Sequence, residues 1–193
     1  IQQILATPNA VFIQEDYPDT RFWRSTDFGE TWTQVPGYFS KCLNRDSTLF
    51  ALRNSPFLQR SDDNGLSWKA LDTVGIYPAG SISDFFLAGH RIFILVETKG
   101  NYDQLFVSED DGQTWRHTQP FGGAGYPIFS VAGTGDLAVG MARRPTLSQD
   151  GGKTWMPFAT NLPNTAGAAV GADSNYIYVA VRDRGLWRLP LAE

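Results

Sequence analysis

RSTDFGETW (24–32) sets a serine, an aspartate, a glycine and a threonine at alternate positions and ends on a tryptophan. The same frame returns as RSDDNGLSW (60–68), VSEDDGQTW (107–115) and LSQDGGKTW (147–155). All four read S-x-D-x-G-x-[TS]-W. Their serines, Ser25, Ser61, Ser108 and Ser148, are spaced by 36, 47 and 40 residues. A degenerate fifth copy follows. RGLWRLP (184–190) aligns with TRFWRST (20–26), which places Trp187 on Trp23 and Leu189 on Ser25.

Five units of this length match the period of a propeller blade. Each unit also reads as strands. The fourth runs PIFSVAG (127–133), a TGD turn, LAVGMA (137–142), RRP, TLS (146–148), the motif, then TWMPFA (154–159). These are short β-rich runs separated by turn residues. The fifth gives AGAAVGA, NYIYVAV and LWRLPL. No helical stripe of useful length interrupts them. Each unit is a four-stranded meander that cannot bury both faces alone and must stack on its neighbours. The expected fold is all-β: a propeller of about five four-stranded blades, the last lacking its outer strand. The blades fall near 1–35, 36–73, 74–118, 119–159 and 160–193, either as one domain or as part of a larger propeller.

The motif has a physical reading as the hairpin between a unit's third and fourth strands. Gly29 supplies positive φ at little steric cost. Ser25 and Asp27 are placed to bind backbone amides of the turn. Thr31 starts the outer strand, and Trp32 puts a large ring between one sheet and the next. The same roles fall to Ser61, Asp63, Gly65 and Trp68, to Ser108, Asp110, Gly112 and Trp115, and to Ser148, Asp150, Gly152 and Trp155.

These four motifs resemble the Asp-box, or bacterial neuraminidase repeat, in register over the whole chain. Proteins with this repeat include sialidases, xyloglucan-active hydrolases, sortilin-type receptors and a photosystem II assembly factor. The resemblance implies a β-propeller with the boxes as structural hairpins on its outer rim, away from the active face. The ending RGLWRLPLAE also resembles the last blade of secreted Bacteroidetes-type propellers.

Composition narrows the function. Hydrophobic residues make up 42% of the 193-residue chain and charged residues 19%, a globular balance. Net charge is −4, which argues against nucleic acid or an anionic membrane as partner. No run of 18 apolar residues provides a membrane span. Cys42 is the only cysteine, and with His90 and His117 alone it makes neither a disulfide nor a zinc site. Its reading is a buried small hydrophobe. SDDNG and SEDDG are acid-rich but lack the closing bidentate Glu of a calcium loop. No metal or cofactor is expected. The chain opens IQQILATPN without Met, which suggests a processed or excised piece of a longer chain.

Function is expected on loops opposite the boxes. These are EDYPDT (15–20), RNSP (53–56), ETKGNYD (97–103), ARRP (142–145) and RDRG (182–185), with the connections VPGY (35–38), TVGIYPAGS (73–81), QPFGGAGYP (119–127) and TNLPNTAG (160–167). The candidate ligand residues are Tyr17, Arg53, Tyr77, Glu97, Tyr102, Asp103, Tyr126, Arg143, Arg144 and Arg182. Tyr rings stack on sugars and Arg forks grip carboxylates. Loops of any soluble domain share this composition.

No residue is assigned as catalytic. The expected function is a non-catalytic recognition or scaffold propeller, secreted or in the cell envelope, with a glycan or protein ligand. The alternative is a sialidase-like exo-glycosidase. Against it, HRIFI (90–94) has Phe93 where the sialidase signature has Pro, and Arg53, Arg143 and Arg182 could form an arginine triad only by blade position. A two-carboxylate hydrolase would draw on Asp16, Asp19 and Asp103.

Overall fold

The computed structural model describes residues 1–16, 21–53, 57–73, 81–97, 103–118, 130–134, 137–141, 145–158, 169–181 and 184–191. Every regular element among them is a strand. The chain forms two compact units, Ile1–Thr73 and Val74–Glu193.

The first unit holds two antiparallel meanders. One is β1 (Gln3–Thr7), β2 (Ala10–Gln14), β3 (Phe22–Ser25) and β4 (Thr33–Val35); the other is β5 (Lys41–Arg45), β6 (Thr48–Arg53), β7 (Phe57–Ser61) and β8 (Lys69–Ala70). Strand alternation sorts their side chains. In β2, Ala10, Phe12 and Gln14 are buried while Val11 and Ile13 are half-buried. Ala10, Phe12, Phe22 and Val35 of the first sheet meet Cys42, Leu49 and Ala51 of the second around Phe39. Phe12 stacks on Phe22 at 5.3 Å between ring centroids, and Phe39 lies 4.8 Å from Trp68. Cys42 is fully buried there, as its sequence context predicts, and burial pushes its thiol pKa up.

The second unit holds three sheets. They are β9 (Ser81–Ala88), β10 (Arg91–Glu97), β11 (Asp103–Ser108) and β12 (Arg116–Thr118); then β13 (Ser130–Thr134), β14 (Leu137–Met141), β15 (Pro145–Ser148) and β16 (Met156–Pro157); then β17 (Ala169–Ala172), β18 (Tyr176–Val181) and β19 (Gly185–Pro190). The last sheet has three strands among the described residues. RIFILV of β10 is buried throughout, the signature of a strand covered on both faces. Phe86, Phe93, Leu95, Leu105 and Val107 form one core, against which Trp155 packs. Leu147, Ile177, Val179 and Val181 form another.

Trp68 and Trp155 face backwards, each onto the preceding sheet of its unit. Trp68 packs on the core that contains Phe12 and Phe22. Trp155 meets Phe93 edge-on at 6.3 Å. The motif glycines press the same way. A Cβ on Gly65 would stand 3.5 Å from Phe12 and 3.6 Å from Val35, and one on Gly152 would stand 3.0 Å from Phe93. Around Gly152 the outer strand β12 closes the joint. The Thr118 hydroxyl donates to the Gly152 carbonyl and accepts from Trp155 Nε1 at 2.8 Å, while Arg116 Nη1 donates to the same carbonyl at 3.2 Å.

The outer strands begin later than the sequence predicts. β4 starts at Thr33 rather than Thr31, because the Thr31 hydroxyl is used inside the turn. The joint in the first unit also lacks a counterpart of the Thr118 hydroxyl. Val35 pairs with Phe22 as Thr118 pairs with Leu105, so Val35 occupies the position of Thr118. Trp68 Nε1 is buried with no hydrogen-bond partner among the described residues. Val→Thr in a core ordinarily costs about 1–3 kcal/mol. Here Val35→Thr should cost less than about 0.5 kcal/mol or stabilise, because a hydroxyl would meet Trp68 Nε1. Thr118→Val should cost about 1–2 kcal/mol. Urea denaturation of both variants checks the contrast.

Candidate functional site

The meander gives each sheet two chemically different ends. A third strand runs from the strand-two to strand-three hairpin at one end to the motif hairpin at the other.

At the motif end the polar atoms are used by the turn itself. Ser25 Oγ donates to Asp27 Oδ1 at 2.7 Å and accepts from the Gly29 amide at 2.8 Å. Asp27 Oδ1 accepts from the Thr31 amide at 2.9 Å, and Oδ2 from the Thr31 hydroxyl at 2.5 Å. Ser61/Asp63/Gly65/Ser67, Ser108/Asp110/Gly112/Thr114 and Ser148/Asp150/Gly152/Thr154 repeat these bonds. The turn needs two positive-φ residues, of which the sequence reading identified one. Phe28, Asn64, Asp111 and Gly151 precede the motif glycine at φ 58°, 55°, 59° and 71°. Asn, Asp and Gly tolerate this conformation, whereas Phe is an outlier in it. Phe28 is also fully exposed.

These bonds stabilise the charged form of each carboxylate. The Thr31 hydroxyl and then its amide hold Asp27 at a pKa of about 2, below the ordinary 3.8. The Ser67 hydroxyl and amide hold Asp63 at about 2. Asp110 and Asp150 are lowered too, first by the hydroxyls of Thr114 and Thr154. A carboxylate committed in this way serves the turn rather than a ligand.

The other end carries open charge. In the first unit, Glu15 and Arg21 flank the first hairpin. The Glu15 amide donates to the Arg21 carbonyl at 2.9 Å, and their side chains form an ion pair at 3.8 Å. Asp16 is exposed next to them, and Arg53 is exposed at the end of β6. In the second unit, Glu97 is exposed at the end of β10, and the ladder register sets it opposite Asp103. A β-bulge interrupts the pairing of β10 with β9 between Leu95 and Val96, two residues from Glu97. Bulges re-aim strand ends and gather near functional sites. Arg184 is exposed before β19.

Of the candidate ligand residues, Arg53, Glu97 and Asp103 therefore lie at strand ends on the side away from the motif. Only Glu97 and Asp103 are direct neighbours, by backbone register. Tyr17, Tyr77, Tyr102, Tyr126, Arg143, Arg144 and Arg182 lie outside the described residues. Gln14 was missed by the sequence reading. It is 1% exposed at the same end of β2, donates through Nε2 to the Phe39 carbonyl at 2.5 Å, and has no donor to Oε1 among the described residues. The available signal was a polar residue in step with Ala10 and Phe12 on the core face. Among the described residues, no three His, Cys, Asp or Glu side chains converge as metal ligands.

Residues 22–35, which span the first motif and its flanking strands, match the model of the BNR-Asp box repeat family. The fold is an Asp-box β-propeller. YCF48 from Cyanidioschyzon merolae superposes with a TM-score of 0.64 at 18% identity, over 98% of this chain and 66% of that one. A structure of YCF48 bound to D1 peptide gives 0.68 at 14% identity, over 98% and 64%. The GH74 xyloglucanase from Xanthomonas campestris gives 0.68 at 18%, over 97% and 36%. A Trypanosoma rangeli sialidase mutant displaying trans-sialidase activity gives 0.57 at 16%, over 97% and 45%. The propeller thus spans less than two thirds of each of these chains. A comparison with curated protein sequences finds no match.

The Asp-box carboxylates make stability pH-dependent in one direction. Their folded pKa values lie below the unfolded value of 3.8, so the unfolded chain binds protons first as pH falls. Their contribution should be complete above about pH 4 and lost as pH falls through about 2. Thr31→Val should raise the Asp27 pKa from about 2 towards 3.8 and leave Asp63 at about 2. A carboxyl-carbon NMR titration reads both.

Proposed function

We propose that the chain is a non-catalytic recognition propeller of an extracytoplasmic protein, which binds a protein ligand through the loop end opposite the Asp boxes. The contrast between the two sheet ends carries this reading. The box end spends its polar atoms on its own turns. In the first unit the opposite end offers Arg53 to solvent and carries Asp16 and the Glu15–Arg21 ion pair; in the second unit it offers Glu97 and Arg184. Charges of both signs on strand-anchored loops suit a polypeptide that carries both signs itself. The structural likeness to YCF48, one structure of which is bound to D1 peptide, supports a peptide ligand. A glycan is the other ligand class that such a face could take.

A second reading, a sialidase-like glycosidase, has one observation in its favour. The β10–β11 register sets Glu97 opposite Asp103 beside a β-bulge, and glycosidases work with paired carboxyl groups.

Peptide and glycan arrays probed with the purified chain, with mass spectrometry of released sugars, separate these readings. Under the recognition reading, peptides bind and no sugar is released. Glu97→Ala should weaken binding by about tenfold at an unchanged melting temperature. Ser61→Ala should lower the melting temperature and spare the affinity of the folded protein. Sugar release abolished by Glu97→Gln would replace recognition with hydrolysis.

A further inference from the structure

The second box pairs Asn64 with Gly65 at its tip. The four boxes place Phe28, Asn64, Asp111 and Gly151 before the box glycine, so only the second sets a carboxamide there. An asparagine before a glycine can close on itself. The Gly65 amide nitrogen loses its proton and attacks Asn64 Cγ. A succinimide ring forms as the C–N bond of the carboxamide breaks and ammonia leaves. Water then opens the ring at either carbonyl, giving aspartate, or isoaspartate with the main chain running through the side-chain carbonyl. Glycine favours the attack because no Cβ shields its nitrogen.

In the folded chain both reacting groups are held by other partners. The Gly65 amide donates to the buried Ser61 Oγ at 2.8 Å, which ties up the proton that must leave. Asn64 Oδ1 accepts from Thr7 Oγ1 of the first sheet at 3.2 Å, and the same hydroxyl lies 3.2 Å from the Ala10 carbonyl. Gly65 is itself buried, and a Cβ there would stand 3.5 Å from Phe12 and 3.6 Å from Leu49 and Val35. Closing the ring swings the Asn64 carboxamide onto the Gly65 nitrogen and breaks both hydrogen bonds. The turn must lift off the first sheet before it can react, and such local opening is rarer than the docked state.

We propose that Asn64–Gly65 is a self-modification site gated by the docking of the second box on the first sheet. It is closed while the box is docked and converts through the succinimide when the joint opens. The main product keeps the joint from closing again. Isoaspartate adds an extra carbon to the main chain, so the Gly65 amide no longer meets Ser61 Oγ and the glycine no longer fits against Phe12. The aspartate product sets a further carboxylate beside Asp62 and Asp63. The joint thereby records its own opening as a one-way covalent change, whatever ligand the loop end takes.

The test incubates the purified chain in mildly alkaline buffer, with and without urea. Cleavage after Arg60 and Lys69 releases peptide 61–69, whose asparagine, aspartate and isoaspartate forms chromatography and mass spectrometry separate. The folded chain should convert at least about tenfold more slowly than the urea-unfolded chain. Ser61→Ala frees the Gly65 amide and should speed conversion of the folded chain about fivefold, and Thr7→Val, on the other sheet, about twofold. Thr7→Val carries the comparison if Ser61→Ala does not fold. Ser148→Ala removes the equivalent bond in the second unit and should leave the rate at Asn64 unchanged. After conversion in urea and refolding, the isoaspartyl chain should melt at a lower temperature than the starting chain. Asn64→Gly keeps the turn, as Gly151 does in the fourth box, and should melt unchanged after the same treatment. Three results would overturn the proposal: equal rates in the folded and unfolded chain, a folded-state rate that neither Ser61→Ala nor Thr7→Val moves, or an isoaspartyl chain that melts like the original.

Discussion

A carboxylate shared between a hydroxyl and a backbone amide holds this architecture together. In each box the aspartate accepts from the Thr or Ser four residues on, through both its amide and its side chain, while the serine ties the aspartate to the glycine amide. The turn that results is tight and left-handed at two successive residues. In the second and fourth boxes it sets the glycine and tryptophan against the sheet before. Without that turn the ring of Trp155 would not reach Phe93 and Thr118, and a four-stranded sheet with one uncovered face would have no reason to stay folded.

The joints are alike in geometry and different in chemistry. Between the sheets of the first unit the contact around Trp68 is apolar, with Val35, Phe12 and Phe39, while Thr7 Oγ1 donates to Asn64 Oδ1 at 3.2 Å and Asn44 Nδ2 to the Ala6 carbonyl at 2.9 Å. At Gly152 the contact is partly polar, with Thr118 and Arg116 on one carbonyl. The first box differs again. Trp32 Nε1 turns back to the carbonyl of its own Gly29 at 3.0 Å, and a Cβ on Gly29 would meet only Trp32 among the described residues. Phe28 is strained and exposed at its tip, where the other boxes hold Asn, Asp or Gly. The repeat thus conserves a backbone path more strictly than the atoms that line it.

Much of this was legible in the sequence because the box is a local device. Ser25, Asp27, Gly29 and Trp32 lie within eight residues, so their spacing alone implies the hairpin and a ring between sheets, but not that the ring faces backwards. Strand order followed, since a meander pairs neighbours in sequence. Features that depend on contacts between sheets were not legible. Nothing in the letters says that Val35 replaces Thr118 beneath a tryptophan, or that Trp68 Nε1 goes unpaired. The start of the outer strand was misplaced because a threonine favours strands by propensity, and Thr31 is held by a carboxylate instead. The loop end was legible as composition only. Charge and aromatic content mark it, but the pairing of Glu97 with Asp103 and the bulge beside them are facts of register.

The backward direction of each joint also orders events in time. A sheet inside a unit is covered by a hairpin that follows it in the chain, as the first sheet is covered by Gly65 and Trp68. Such a chain emerging from the ribosome needs only the next hairpin to cap the sheet already made. Folding can then advance by accretion, with each nascent sheet the template for the one behind it.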